Sequence, residues 1–384
     1  MSLDQKIIIA TIMREQGETG VQTSFNMLEK FMSEQGFEPC VITPFSFSQF
    51  FVLPVFAVRK LIDKLSGELS VWWYRYWHYI FLKQALIEEL VEQAKTGIPV
   101  VIYAQCPLSA KAALEARATE NQKVIMAVHF NISQADEWAH KGKIKIGSWV
   151  YKGIKKLENE VIPMLDAIVY ISGFMKETIE KNTPKSTQIK SIVLPNFIFH
   201  PKRLDSTDIK GDLISIGTLE SRKNQSYLLQ VLAEAKKMGK CYSLTLIGEG
   251  SDRRALEALA QSLDVAGQVK FLGFQKNAAQ FLYAHRLYVH SSLIDNIPIA
   301  LIEALACQLP ILAGAVGGIP EIFSDGVEGF YWPLDDPAAG AKKLLALMED
   351  TKTYNAMAEA AKIQFSANFE SSVVASRLLS FLCN

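Results

Sequence analysis

Short apolar segments alternate with amphipathic ones along this chain, and the alternation runs through it twice. The first series predicts strands at 6–11, 41–43, 99–104, 124–128 and 167–171, with helices at about 21–34, 82–95 and 108–116. After Pro195-Asn196 a second series predicts strands at 213–216, 242–247, 269–272, 287–290 and 311–313, with a helix at 224–237. Such alternation is typical of doubly wound parallel sheets. Because 384 residues exceed one ordinary core, the sequence predicts two Rossmann-like domains with a cleft between them.

Composition narrows the possible partners and compartment. The net charge is zero, which argues against nucleic acid as a partner. The five cysteines are scattered and include no C-x-x-C pair, as expected of free thiols in a reducing compartment. The N-terminus does not resemble a signal peptide, and no run of 18 apolar residues occurs. We therefore expect a cytoplasmic protein.

The segment 291–329 carries the most chemical information. Asp295 precedes a predicted helix, and Glu303 follows eight positions later, inside it. Pro298 suits the first helical turn, so the free amides of Ile299 and Ala300 would face whatever lies in front of the helix. Such an end attracts phosphate, and Glu303 could reach the hydroxyls of an attached ribose. The pattern therefore predicts a binding site for a ligand that contains a sugar, a diphosphate and a nucleoside.

This segment resembles the signature of the family-4 retaining glycosyltransferases, which have the GT-B fold. The family pattern is a carboxylate, seven residues and a Glu, on E-G-F-P-x-x-L-x-E-A-M-A-x-G-x-P. Here it is Asp295-Asn-Ile-Pro-Ile-Ala-Leu-Ile-Glu303-Ala-Leu-Ala-Cys-Gln-Leu-Pro310, and the match continues through 317–321 and 326–329. Asp295 replaces the first Glu of the family, and Asn296-Ile297 replaces Gly-Phe, both where the family holds the donor sugar.

The resemblance implies an acceptor-binding domain at 1–199 and a donor-binding domain at 200–365, joined near a linker at about 197–211. It also implies that a C-terminal helix at about 366–384 packs back on the first domain. It implies a retaining transferase that needs no cofactor, whose donor contacts include Asn296, Ile299, Ala300 and Glu303. In this family the leaving phosphate oxygen is thought to accept the proton of the acceptor.

The segment 217–224 (GTLESRKN) follows a strand and begins a helix. It resembles the family's G-R-L-x-x-x-K-[GN], which places Lys223 at the position of the phosphate-binding lysine and Thr218 at that of its partner arginine. Arg222 stands beside Lys223, and whether it replaces that arginine stays open. Cations are disfavoured at a helix N-terminus, so the pair indicates a bound anion, although a solvated helix start is the alternative. No D-x-D motif occurs, which favours a mechanism without a metal ion.

Four further positions match the family more loosely, and each has a purely structural alternative. Gly248 and Phe274 lie in turns expected beside the nucleotide, and Gly20 lies in the loop that approaches the diphosphate in the family. His129 ends a predicted strand and matches the histidine that contacts the transferred sugar. The other histidines belong to no motif, and we predict no chemical role for them: His78, His140, His200, His285 and His290.

The segment 45–82 is dense in aromatic residues with basic residues between them. A helix pair packed on the first sheet is the simpler interpretation. The alternative is a membrane-surface patch or a site for a lipid-linked acceptor, which would bring the protein to the inner face of the membrane.

The predicted activity is transfer of a hexose, with UDP-glucose as the expected donor, to a glycan or lipid-linked glycan in polysaccharide or cell-envelope assembly. His129, Lys223 and Asp295 are the predicted catalytic residues. Two alternatives stay open: a synthase that uses a soluble sugar or sugar-phosphate acceptor, and a nucleotide-sugar-binding protein without activity.

Overall fold

The computed structural model describes residues 5–15, 17, 19–203 and 210–384. The chain divides into two compact units. The first comprises the chain up to Pro195 together with Ala375–Asn384, and the second comprises Asn196–Val374. The predicted linker at 197–211 lies partly outside the described residues, since 204–209 are not among them.

The first unit is built on a six-stranded parallel sheet in the order β2-β1-β3-β4-β5-β6. Its strands are β1 Lys6–Ala10, β2 Cys40–Ile42, β3 Val100–Ala104, β4 Gln122–Val128, β5 Ala167–Tyr170 and β6 Lys190–Val193. The central strand β3 is buried along its whole length, which explains its continuous apolar sequence. β6 was not predicted, because it is a partly exposed edge strand that contains Lys190 and Ser191.

The described helices that connect or flank these strands before Pro195 are α1 Gly20–Glu34, α2 Gln49–Leu65, α3 Gly67–Thr96, α4 Pro107–Ala116, α5 Gln134–His140, α6 Trp149–Val161 and α7 Gly173–Asn182. Short 3-10 turns occur at Pro44–Ser46, Ile162–Met164 and Pro184–Gln188. The helix pair predicted for 45–82 is present as α2 and the first half of α3. The helix predicted at 82–95 is only the second half of α3, which Ser66 caps at its start and Gly97 ends in a left-handed conformation.

The second unit contains a six-stranded parallel sheet in the order β12-β11-β10-β7-β8-β9. Its strands are β7 Gly211–Ile216, β8 Leu244–Ile247, β9 Val269–Gly273, β10 His285–His290, β11 Ile311–Ala313 and β12 Gly329–Tyr331. The strand order reverses between β7 and β10, and open α/β sheets bind ligands at the carboxyl ends of the strands beside such a switch point. The edge strand β12 was not predicted, because it begins with Gly329 and its other two residues are only partly buried.

The helices of the second half are α8 Gln225–Lys237, α9 Arg253–Ser262, α10 Ile299–Ala306, α11 Pro337–Glu349, α12 Thr351–Asn368 and α13 Ser371–Cys383. The 3-10 turns are Ser221–Lys223, Ala266–Gln268, Ala278–Ala284 and Ile319–Glu321. Helix α13 begins in the second unit and continues into the part of the chain that belongs to the first. All five cysteines are free thiols, of which Cys106 and Cys307 are buried.

Candidate functional site

The loops after β7 and β10 meet at the switch point of the second sheet. The amide of Leu293 donates to the carbonyl of Arg222 at 2.9 Å, and the Ser291 hydroxyl donates to the carbonyl of Lys223 at 2.9 Å. These bonds join the loop that carries Lys223 to the loop that carries Asp295. The two loops that the sequence singled out therefore form one structural element at the edge where this fold class binds its ligands.

The Asp295 carboxylate lies at the centre of this element. The Lys223 ammonium donates to Asp295 Oδ2 at 2.5 Å, and the Ser292 hydroxyl donates to the same oxygen at 3.1 Å. His290 Nε2 lies 3.2 Å from it. Burial alone would raise the pKa of Asp295, but the Lys223 charge and the hydrogen bond from His290 hold it well below its ordinary value. Asp295 is therefore ionised at neutral pH.

His290 and Ser292 contact Asp295 although the sequence analysis did not single them out, and the expectation that His290 has no chemical role stays a prediction. Both are buried. Burial lowers the pKa of His290, which keeps it neutral at pH 7 despite its contact with Asp295. Its position as the last residue of β10 is the signal that could have found it, since the same strand-end argument had selected His129.

The guanidinium of Arg222 forms an ion pair and a hydrogen bond within the site. Its Nη2 pairs with Glu220 Oε1 at 2.7 Å, and Nη1 donates to the carbonyl of Ile294 at 3.2 Å. Nη1 also lies 3.6 Å from Asp295 Oδ1. Thr218 is exposed on the same loop, and its carbonyl accepts a bond from the Gln225 side chain at 2.9 Å. Arg222 therefore lies beside Asp295 and links two loops through its contacts with Glu220 and Ile294.

Helix α10 presents its first amides at this site. Pro298 is the N-cap residue, one position earlier than the predicted first turn, and its carbonyl accepts the amide of Leu301 at 3.1 Å. The amides of Ile299 and Ala300 have no acceptor within the helix, because the first turn leaves its donors unsatisfied. They remain as two aligned donors at the positive end of the helix dipole.

Glu303 lies one turn further along α10 and is partly buried. Its carboxylate makes no hydrogen bond or ion pair with any residue that the structure describes. Burial raises the pKa of Glu303 to about 7. A partly desolvated carboxylate without a partner can still accept hydrogen bonds, as expected of a group that binds the hydroxyls of a ligand.

Two glycines allow neighbouring loops to approach the site. Gly317 has a φ of +56°, and a Cβ there would lie 1.8 Å from the carbonyl oxygen of Asp295. Gly248 has a φ of +139°, and its Cβ would lie 2.0 Å from the carbonyl oxygen of Gly217. Gly248 therefore sets the spacing between the loops after β7 and β8. Phe274, which follows β9, is 59% exposed.

Asn296 lies beside these residues and is buried. A Cβ on Gly318 would lie 2.5 Å from the carbonyl oxygen of Asn296, so the turn at 317–318 packs directly on the loop of Asp295. The side chain of Asn196 donates to the carbonyl of Ile297 at 2.9 Å. These contacts fix the backbone between Asp295 and the start of α10.

Two predicted residues belong to the first unit. His129 follows β4, and its Nε2 lies 3.0 Å from Oε1 of Gln105, the residue after β3. Burial lowers the pKa of His129 to about 4, so the ring is neutral at pH 7. Gly20 is the first residue of α1, and a Cβ there would meet nothing within 4 Å. The fold of the unit itself therefore does not require glycine at position 20.

Residues 197–364 match the sequence profile of the family described as Glycosyl transferases group 1. A relative in Bacillus anthracis, N-acetyl-alpha-D-glucosaminyl L-malate synthase, is 30% identical over 134 residues, which are 35% of each chain. The N-acetylgalactosamine-N,N'-diacetylbacillosaminyl-diphospho-undecaprenol 4-alpha-N-acetylgalactosaminyltransferase of Campylobacter jejuni is 28% identical over 59% of this chain. The matches span 35% and 63% of the length of these two relatives.

Solved structures resemble the fold of the whole chain. Sucrose-phosphate synthase of Thermosynechococcus elongatus has a TM-score of 0.72 at 16% identity over 98% of each chain. Anabaena HepE, solved in complex with UDP-glucose, has a TM-score of 0.71 at 16% identity over 98% of this chain and 99% of its own.

The predicted fold class, GT-B, is confirmed by the two parallel six-stranded sheets and these neighbours. Residues 197–364, which match the group 1 glycosyl transferases, lie within the second unit.

Proposed function

We propose that this protein is a retaining, metal-independent glycosyltransferase. It would move a hexose from a UDP-hexose, with UDP-glucose as the expected donor, to a hydroxyl of a glycan or lipid-linked glycan in polysaccharide or cell-envelope assembly. The observation that carries this proposal is the arrangement at the switch point of the second sheet. Lys223 pairs with the buried Asp295 carboxylate, and four residues after Asp295 begins α10, which carries two amides without acceptors in the helix and a Glu303 without a partner among the described residues.

The leaving diphosphate would be stabilised by Lys223 and by the amides of Ile299 and Ala300. Preorganised donors of this kind stabilise developing charge without reorganisation. Asp295 Oδ2 already has three neighbouring donors, whereas the nearest cation to Oδ1, Arg222, is 3.6 Å away. We therefore assign Oδ1 to the hydroxyls of the donor sugar, and we assign the Glu303 carboxylate to the ribose.

The roles in the first unit rest on the family resemblance. Gly20 would approach the diphosphate, and His129 would hold the transferred sugar. Because its pKa of about 4 leaves His129 neutral at pH 7, it would act as a hydrogen-bonding group and not as a cation. The proton of the acceptor hydroxyl would pass to the leaving phosphate oxygen on the same face of the sugar, so that no separate base is required.

The similar proteins support the substrate classes without fixing them. Anabaena HepE was solved with UDP-glucose, and the name of the Campylobacter jejuni relative specifies a diphospho-undecaprenol-linked acceptor. The name of the Bacillus anthracis relative instead specifies L-malate. That observation keeps a second candidate function, transfer to a small soluble acceptor.

The test is release of nucleoside diphosphate from a panel of UDP-, GDP- and ADP-sugars in the presence of EDTA, with the anomeric configuration of the product read by NMR. We expect release from one UDP-hexose with retained configuration. Lys223→Ala should lower the rate by about 10²–10³-fold, as for a lost charge-stabilising donor, whereas Lys352→Ala on the exposed face of α12 should not.

Three results would contradict the proposal in different ways. Transfer to malate or free sugars but not to lipid-linked glycan would favour the soluble-acceptor synthase. Nucleotide binding without turnover or hydrolysis would favour a binding protein. Wild-type turnover by the Lys223→Ala variant would remove Lys223 from the mechanism.

A further inference from the structure

Helix α2 carries apolar residues on the face that is turned to solvent. Its inner face includes Val52, which is fully buried, while Phe50, Leu61 and Leu65 are 81%, 64% and 84% exposed. Residues 50–58 of α2 are all apolar, and a helical segment that is apolar all round is normally buried on all sides. No residue that the structure describes covers this outer face of α2, so the fold of the unit does not explain its composition.

A lysine-rich segment lies next to the C-terminal end of α2. Residues 140–156 contain six lysines and no acidic residue. The segment is tied to the α2–α3 junction, because Lys143 pairs with Asp63 at 3.1 Å and the amide of Lys145 donates to Glu68 at 3.2 Å. The exposed apolar face and the basic segment are therefore neighbours in the folded unit, although they are far apart in the sequence.

The basic segment has an exposed apolar tip of its own. Ile146 is 75% exposed and Trp149 is 54% exposed, and the Trp149 ring lies 6.3 Å from that of Trp72 on α3. Lys145 precedes this tip, and Lys152 lies one helical turn after Trp149. Neither lysine forms an ion pair with any residue within the described ranges, and both are exposed.

We propose that this apolar-basic surface, formed by Leu61, Leu65, Lys145, Ile146, Trp149 and Lys152, docks onto an anionic lipid bilayer. The lysines would contact lipid phosphates, while the leucines, Ile146 and Trp149 enter the boundary between headgroups and acyl chains. Among the helices of the described residues none is long and apolar enough to cross a bilayer, so the surface would lie on the membrane.

The positive charge of the apolar-basic surface favours an anionic lipid bilayer as its binding partner. Lysines without acidic partners complement a negatively charged leaflet, and tryptophan is enriched at the level of lipid headgroups. The inference goes beyond the proposed function, because binding to lipid needs neither donor nor acceptor sugar.

The test is flotation of the full chain with vesicles of phosphatidylcholine alone or with 30 mol% phosphatidylglycerol, at low and high salt. We expect binding only to the anionic vesicles, weakened by salt. The pair Lys145→Gln and Lys152→Gln should lower the partition coefficient about 20–30-fold, since each lysine near the surface contributes about fivefold. Ile146→Ser with Trp149→Ser should lower it roughly tenfold or more, as a lost apolar contact.

Matched controls separate this surface from general effects of charge or exposure. Lys352→Gln and Ile363→Ser change one exposed lysine and one exposed isoleucine of α12, and both should bind vesicles like the wild type. Wild-type binding by the surface variants would overturn the proposal, as would equal binding to neutral vesicles. A wild-type dimer that these variants dissociate would also overturn it, by assigning the surface to a second copy of the chain. Release of nucleoside diphosphate, measured without vesicles, should be unchanged in all variants, so that failure of the proposed function is recognised separately.

Discussion

Replacing Lys223 by methionine should destabilise the second unit, because it leaves the Asp295 carboxylate buried without its closest cation. The two side chains are 14% and 11% exposed, so solvent can compensate little. Breaking a buried ion pair from one side costs about 3–5 kcal/mol. His290 and Ser292 still face the carboxylate, which favours the lower end of that range. In a domain of this size about 3 kcal/mol corresponds to a melting temperature roughly 6–12 °C lower.

The assay is differential scanning calorimetry of a double-mutant cycle: wild type, Lys223→Met, Asp295→Asn and the double variant. Methionine keeps the apolar stem of the lysine, and asparagine keeps the shape of the carboxylate. We expect the double variant to melt well above Lys223→Met, since the charge that needed compensation is gone. Additive changes in melting temperature would refute the idea that Lys223 and Asp295 stabilise each other.

The same cycle has a pH signature whose sign follows from the pKa of Asp295. In the wild type that pKa lies below its ordinary value of 3.8, so the stabilisation is present above pH 3.8 and is lost as the pH falls through the lower, folded value. Without Lys223 the strongest influence that lowers the pKa of Asp295 is lost, so this pKa should rise and the carboxylate should be protonated more readily as the pH falls. The stability difference between wild type and Lys223→Met should therefore shrink between pH 7 and pH 4. A difference that is constant over this range would contradict the assignment.

Two further predictions concern the neighbours of this ion pair. The pKa of Glu303 is raised to about 7, against 4.5 for the ordinary group, so its contribution to stability is lost as the pH rises from 4.5 through 7. The Glu303→Gln variant should therefore melt at a higher temperature than the wild type at pH 8 but not at pH 4. Equal effects at both pH values would contradict this prediction. Gly317→Ala should displace the loop of Asp295 and abolish nucleotide binding measured by calorimetry, whereas Gly326→Ala, with a φ of +81° but open space around its Cβ, should bind normally at a cost of about 1 kcal/mol in stability.

Most of the predicted strands correspond to strands of the two sheets because they are short apolar runs buried in a parallel sheet, although β2 and β9 are partly exposed. The two strands that were missed are edge strands with a weaker signal: β6 is partly exposed and contains Lys190 and Ser191, and β12 begins with Gly329 and has two partly exposed residues. The start of α3 was also missed, since Ser66 and Gly67 mark a helix boundary only when the cap geometry is known. Local sequence therefore predicts the buried elements and fails at exposed edges and helix starts.

Within the site, spacing predicted the residues whose positions follow from a single element. Asp295, Glu303 and the amides of α10 are of this kind, and Lys223 was found through its loop. Ser292 and His290 act on Asp295 only because the chain turns back after β10, and no periodicity encodes that turn. For segment 45–82 the sequence offered a membrane-surface patch only as the alternative, because the segment is not strongly cationic by itself; the lysines of the proposed surface come from 140–156.

The two carboxylates of the Asp295–Glu303 pattern have opposite electrostatic environments within the second unit. Asp295 is surrounded by donors and ionised, so its position is fixed before any ligand arrives. Glu303 has no partner among the described residues, and its pKa is raised to about 7, so its environment is incomplete without one. A site that had to bind only phosphate would gain nothing from a desolvated carboxylate beside it. Glu303 is therefore the feature that most supports the proposed ligand, a nucleotide sugar, in which hydroxyl donors are attached to the phosphates.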